Sequence, residues 1–320
     1  MPDADVPNPI HTLMLMQFAQ FIDHDLTLTG GTRCDARVNE QVGLTAMHTL
    51  WMREHNRVAA ELLRLNPGWK DEILYQEARR IVAAEFQHIT YNEYLPILLG
   101  RDLMKEFDLL LTPSGYSGSY DPQLNAGIVN VFATASYRYG HSLVQLTNHL
   151  FEPPGFGFGA DLAAFNVQRG RDHGIPSYND WREFCGMSRI TDFSQLADVM
   201  SPQAAQSFAQ VYKHPDDIDL FAAGVNERPI AGGTLGPTFA CSIGEQFRRL
   251  KNGDRFWYEN GGLESSLNEG IQRWTVTAKT SSMWTWTTGR MNQSGRDFVP
   301  HSGRNFSTPS RVPVYTNVTS

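Results

Sequence analysis

Between residues 44 and 65 the chain reads LTAMHTLWMREHNRVAAELLRL, with Leu44, Met47, Leu50 or Trp51, Val58 and Leu62 recurring at spacings of three and four. That period winds one apolar stripe along an α-helix, and Asn66-Pro67-Gly68 closes it. A second stretch from Lys70 to Gly100 starts with acids in its first turn, keeps the same period and is expected to end near Pro96 and Gly100. Two long helices in succession, each with one apolar face, must bury those faces together, which makes the fold class mainly α. Shorter helices are predicted over 10–27, 124–149, 191–213 and 238–250, joined by Gly/Pro loops at 113–122 and 152–161. Alternating patterns are scarce, so few strands are expected, one of them short and near 274–276.

The 320 residues, 41% hydrophobic and 11% aromatic, suffice for a large core. A net charge of −7, with no basic block beyond RRLK at 248–251, argues against a nucleic-acid or anionic-membrane surface. The longest apolar run, HTLMLMQFAQFI, is short and broken by glutamines, so no membrane span is predicted. The acidic, proline-rich MPDADVPNPI lacks the basic and apolar regions of a secretory leader, which leaves a cytosolic chain or one whose leader is not included. N-x-S/T sequons at Asn292, Asn305 and Asn317 favour secretion weakly. After Gly270 the sequence turns rich in Ser, Thr, Asn and Gly, so the chain divides into a helical domain over 1–270 and a divergent, loosely ordered tail over 271–320.

Four polar stretches could carry chemistry: QFIDHD (20–25), RVNE (37–40), YRYGHSL (137–143) and FNVQRGRDHG (165–174). In the first, helical spacing puts Gln20, Asp23 and His24 on one face while Phe18, Phe21 and Ile22 lie largely elsewhere. Singly each stretch has a plain structural reading, because a histidine on a helix is more often hydrogen-bonded structure than a ligand and Arg/Asp runs are usually solvated. Asn166 reads as well as a helix cap as anything else, RGRDHG as an ion-pair loop, and His173 as a secondary candidate for a metal ligand. HxxxH or HExxH spacing with matching acids, as a non-haem metal site would need, is not found.

Taken in order, the four stretches resemble the animal haem peroxidases, with LTAMHTLWMREHNRVAAEL and FNVQRGRDHGIPSYNDWREFCG as long near-continuous matches. The likeness covers about residues 10–270, and its wording is nearest to invertebrate secreted enzymes of the chorion-peroxidase or peroxinectin type. It implies a haem-peroxidase-like helical domain binding haem b, which reduces hydrogen peroxide and oxidises a small electron donor such as a halide, thiocyanate or a phenol. His24 matches the distal histidine, general acid and base for peroxide, and Gln20 the distal glutamine that holds water or halide. Arg37 matches the distal arginine that stabilises developing negative charge. Asp23 and Glu40 match the carboxylates ester-linked to haem, and Asp25 the first calcium ligand. Gln41 stands where some members have a sulfonium-forming methionine, so that link is not expected. His141 matches the proximal iron ligand, with Gly140 allowing close backbone approach, and Asn166 its hydrogen-bonding partner. Cys185 and Cys241 match a family disulfide, implying an oxidising, extracellular compartment.

Two departures stand out. Only DLTLTGGTRCDA separates His24 from Arg37, where the family carries a long insertion with the remaining calcium ligands, so an incomplete calcium site is expected. A second shortening, in LFEPPGFGFGAD, follows His141, and Cys34 is left as an odd thiol beside the first join. The alternative reading is therefore a catalytically impaired homologue retaining a peroxidase surface for secreted adhesion or binding.

Overall fold

In the computed structural model, residues 11, 13–27, 36–39, 41–143, 161–262 and 266–267 are described, and they form helices joined by turns. The expected helix before residue 27 is α1, Leu13–Leu26, whose Leu15, Phe18, Ala19 and Ile22 are buried. A 3-10 turn, Ala36–Asn39, leads to α2, Val42–Leu65, which turns at Asn66 into α3, Asp71–Ile89. The two long helices lie against each other through Val58, Ala78 and Ile81, so the sequence periodicity is answered by mutual burial.

The expected continuous helix over 70–100 is broken. After α3 the chain makes a π-turn, Thr90–Tyr94, and resumes as α4, Leu95–Glu106, with Pro96 in the first turn, where its missing N–H costs nothing. Gly100, at φ +67°, kinks α4 rather than ending it. The kink admits the loop before residue 236: a Cβ on Gly100 would stand 2.8 Å from Ala231 O, and Thr234 N donates to Leu98 O at 3.1 Å.

The helix expected over 124–149 is mostly not helix. Residues 127–129 are not helical, Val129 being extended, and the buried Gln246 side chain bonds their backbone, accepting from Val129 N at 2.7 Å and donating to Gly127 O at 3.2 Å. Only α5, Asn130–Thr134, and a 3-10 run, Ser136–Leu143, follow within the described residues. Conversely the first four residues of the expected RGRDHG loop belong to a helix, α6, Leu162–Asp172, which Asp161 caps by accepting from Ala164 N at 3.1 Å, while His173 and Gly174 form the turn that follows. The ion-pair part of that expectation holds: Arg171 forks onto Asp219 at 2.9 and 2.6 Å.

Next comes α7, Tyr178–Phe184, closed by a Ser177/Asp180 capping box. The predicted helix over 191–213 divides into a 3-10 turn, Phe193–Asp198, and α8, Pro202–Val211, since Ser201-Pro202 starts a new helix. A short α9, Leu220–Gly224, precedes α10, Pro237–Asn252, which matches the expected helix at 238–250 and contributes Phe239, Ala240, Ile243 and Phe247 to the core. Among the described residues the extended pairing is limited to isolated bridges, Ser117 with Asn260 and Met200 with Glu227. Cys185 and Cys241 are joined, Cα atoms 6.1 Å apart, fastening the end of α7 to α10. Cys34, Glu40, the three sequons, most of the 152–161 loop, the 274–276 strand and the tail lie outside the described residues.

Candidate functional site

The polar stripe of α1 meets the apolar one where helical spacing places it. Phe18 and Ile22 are in the core, His24 is buried, Gln20 and Asp23 are half-buried, and Asp25 is exposed. His24 lies in the last turn, whose carbonyls have no partners within the helix. Thr27 answers one, donating from N and Oγ1 to Asp23 O at 2.8 Å each. Arg37, carried by the 3-10 turn, answers another, its Nη2 donating to His24 O at 3.5 Å. Gln41 caps α2, accepting from Gly43 N at 2.6 Å and Leu44 N at 3.1 Å. Burial pushes the Asp23 carboxyl above its usual range, against the pull of Arg138, the Thr27 hydroxyl and Arg37. Its Oδ1 is buried with no hydrogen-bond partner among the described residues.

The 3-10 run Ser136–Leu143 packs directly on α1, with Met16 over Gly140. A Cβ at Gly140 would lie 3.7 Å from Met16 Cγ, an ordinary contact, so the close backbone approach expected of this glycine is not demanded there. In a 3-10 helix residues three apart eclipse, which puts Arg138 and His141 on one side. His141 Nδ1 is 3.0 Å from Asn166 Oδ1, and Asn166 Nδ2 donates to Leu162 O at 2.9 Å. The amide oxygen can only accept, so Nδ1 carries the proton and Nε2 offers its lone pair. Burial holds His141 below the ordinary histidine pKa, with Arg138 acting in the same direction and the Asn166 bond opposing. Asn166 is 1% exposed, in mid-helix, and Asp161 rather than Asn166 is the cap. His173 is not gathered with these groups; it is exposed and clasped to Asn130, Nδ1 to Oδ1 at 3.1 Å and Asn130 Nδ2 to His173 O at 3.2 Å.

Two basic residues went unremarked in the sequence, each three positions from a candidate: Arg138 before His141 and Arg169 after Asn166. Arg138 feels the charges of Asp23, Arg169 and Arg37 together, and Asp23 in turn feels Arg138 and Arg37. That shared three-residue spacing was the available signal. Among the described residues no group of three or more His, Cys, Asp or Glu is gathered to hold a metal ion.

The animal haem peroxidase pattern matches residues 32–146 and 144–294, two pieces that together span most of the chain. The chain belongs to the animal haem peroxidase family. Peroxidasin of Drosophila melanogaster is 38% identical over 292 residues, covering 72% of this chain and 19% of its own length. Chorion peroxidase of Aedes aegypti is 39% identical over 281 residues, 71% of this chain and 35% of its own. The chain thus spans well under half of these relatives. Among solved structures, peroxidase A from Dictyostelium discoideum superposes with a TM-score of 0.64 at 33% identity, covering 79% of this chain and 56% of that one. A fatty acid alpha-dioxygenase from Oryza sativa shares the fold at a TM-score of 0.56 and 18% identity, over 74% of this chain and 53% of that one.

Haem is the group the family name implies, and the residues present suit it. A half-buried imidazole with Nδ1 engaged presents a neutral nitrogen of the kind iron takes, and neighbouring guanidiniums complement the propionates of a porphyrin. The orphaned Asp23 Oδ1 sits among them.

Proposed function

We propose that this chain binds haem with His141 of the 136–143 segment and His24 of α1 and acts as a peroxidase, reducing hydrogen peroxide to water at the expense of a small electron donor. Haem supplies the reductive splitting of the O–O bond and passes the oxidising power to the donor. The observation that carries this reading is the bond of His141 Nδ1 to the buried Asn166, within a chain of this family. His141 would hold the haem iron, with Asn166 fixing its tautomer and orientation. His24 would take a proton from peroxide and return it to the departing oxygen, which releases water. Arg37 stabilises the negative charge that builds during cleavage, and Gln20 holds water or a small anion beside it. Asp23 and Glu40 are the carboxylates for ester links to haem, while Arg138 and Arg169 pair with its propionates. Asp25 is the proposed calcium contact.

Halide, thiocyanate and phenolic donors all remain within this proposal. The Cys185–Cys241 disulfide supports an extracellular setting. Among the described residues no helix is long and apolar enough to cross a membrane. The test is reconstitution of the purified protein with haem. A Soret band that is lost in His141→Ala, with peroxide-dependent oxidation of a phenolic dye lost in His24→Ala, is the expected result. Absence of a Soret band from the unsubstituted protein, or an unchanged one in His141→Ala, would overturn it.

A further inference from the structure

Tyr94, the last residue of the π-turn, is fully buried beneath α1, where the Phe18 ring meets it edge-on at 5.3 Å. Its hydroxyl lies 3.1 Å from that of Tyr137 and 2.7 Å from that of Tyr139, both on the 3-10 run that bears His141. Among the described residues these three hydroxyls bond only to one another. Tyr137 is further held by stacking on Phe132 at 4.3 Å. One ring therefore touches the helix of His24 and grips the segment of His141 at two points.

Two features show what the grip does. A 3-10 helix rarely exceeds three or four residues, because its hydrogen bonds are poorly aligned. The run here is 8 residues long, so side chains must hold it. Three phenols also hold three protons but share two bonds, so one O–H is left without a phenolic acceptor in any arrangement. Three phenylalanines would fill the same space without that cost. Packing alone does not call for the hydroxyls; what they add is a fixed position.

We propose that Tyr94 is a positioning residue for the iron-ligand segment, its hydroxyl fixing through Tyr137 and Tyr139 where Ser136–Leu143 lies against α1 and hence how His141 is presented. This rests on the haem reading above, and two measurements keep the two apart. The first, on haem-free protein, is amide hydrogen exchange across 136–143. The second, on haem-loaded protein, is the Soret position and the iron reduction potential. Tyr94→Phe leaves two buried phenols without their shared partner. It is expected to lower the melting temperature, speed exchange in 136–143 by about tenfold and shift both spectrum and potential. The triple variant Tyr94→Phe/Tyr137→Phe/Tyr139→Phe keeps the packing and removes the unpaired groups. It is expected to recover the melting temperature while exchange, spectrum and potential stay altered. Wild-type exchange and spectrum in the triple variant would reduce the cluster to packing and overturn the proposal, as would wild-type exchange in Tyr94→Phe. If the unsubstituted protein takes up no haem, the haem reading fails on that result, and exchange in the haem-free variants still decides the role of Tyr94.

Discussion

Asn166, beside His141, and Glu227 are answered within the fold, whereas on α1 Gln17 and Asp23 each keep a buried oxygen with no partner among the described residues. Asn166 both accepts from His141 and donates to Leu162 O. Nearby, buried Glu227 accepts from Tyr178 Oη and Thr238 Oγ1 at 2.7 Å and from Thr238 N at 2.9 Å, with Arg182 at 3.7 Å. The Cys185–Cys241 bond ties the same elements. On α1, by contrast, Gln17 Oε1 and Asp23 Oδ1 are buried with no partner among the described residues. A metal ligand needs its tautomer and direction set before the metal arrives, so its support is built into the protein. A face that receives a ligand's oxygens and carboxylates keeps polar atoms unspent, at a cost to stability.

The strongest way to break this contrast is at Glu227. Glu227→Leu leaves the Arg182 guanidinium, its side chain 8% exposed, without its counter-charge, and strips acceptors from Tyr178 and Thr238. Removing one partner of a buried pair costs about 3–5 kcal/mol, so the urea midpoint of the haem-free protein should fall steeply. A loss below about 1 kcal/mol would mean that this network is not what fastens the His141 side.

Glu93, in the π-turn that leads into Tyr94, tests the same cost away from α1. The residue is 8% exposed, its Oε2 has no partner among the described residues, and burial raises its pKa to about 7. Between the unfolded value of 4.5 and about 7 the folded protein keeps a proton that the unfolded chain releases, so this carboxyl's contribution to stability is present at low pH and lost as pH rises through that window. Glu93→Gln, uncharged throughout, should therefore gain on wild type from pH 4.5 upward and lead by up to about 3 kcal/mol at pH 8. A pH-independent difference would place a neutralising partner beside Glu93.

Asn166→Leu sharpens the contrast from the ligand side. With the acceptor gone, the His141 Nδ1 proton is buried unpaired and the ring is free to turn. Haem retention should weaken about tenfold to a hundredfold in a competition titration, as outer partners of metal-bound histidines generally show. Wild-type retention would mean that the bond of 3.0 Å does not orient the ring.

How far the sequence could foresee this follows the same division. Helices α2 and α10 are legible because each carries an apolar stripe at helical spacing, and the His141–Asn166 hydrogen bond because Asn166 sits in a long motif match and His141 in the short stretch YRYGHSL. The helix expected over 124–149 failed because Gln246, more than a hundred positions away, supplies the hydrogen bonds that a helix would have made itself. The expected single helix over 70–100 is interrupted by the π-turn Thr90–Tyr94 and then runs on past Pro96 and, with a kink, past Gly100, residues that usually end a helix. RGRDHG reads as a loop because the residue that caps its helix, Asp161, lies eight positions before it. Arg138 and Arg169 looked like ordinary solvated cations, and the Tyr94 cluster joins residues 43 and 45 positions apart, which no local pattern reports.

The smallest expected effect is at Gln17, and it bears most directly on why α1 keeps unspent polar atoms. The side chain is fully buried against Gly43, where a Cβ would stand 2.8 Å from its Cγ, and its amide nitrogen reaches nothing better than Met16 Sδ at 3.7 Å. Gln17→Met keeps length and volume while deleting a carboxamide that is poorly bonded at both ends. In haem-free protein it should be neutral or stabilising by about 1 kcal/mol in thermal melts, since an unpaired buried polar group costs more than a thioether. A loss of similar size would show that Gln17 is satisfied, for instance by an internal water with two or more protein partners. If the carboxamide is instead kept for a group that enters with haem, the gain should vanish once haem is bound, because the variant then forgoes a bond that the wild type makes. A gain that persists unchanged in the loaded protein would make the unpaired oxygen a plain packing defect, and the contrast would then rest on Asp23 alone.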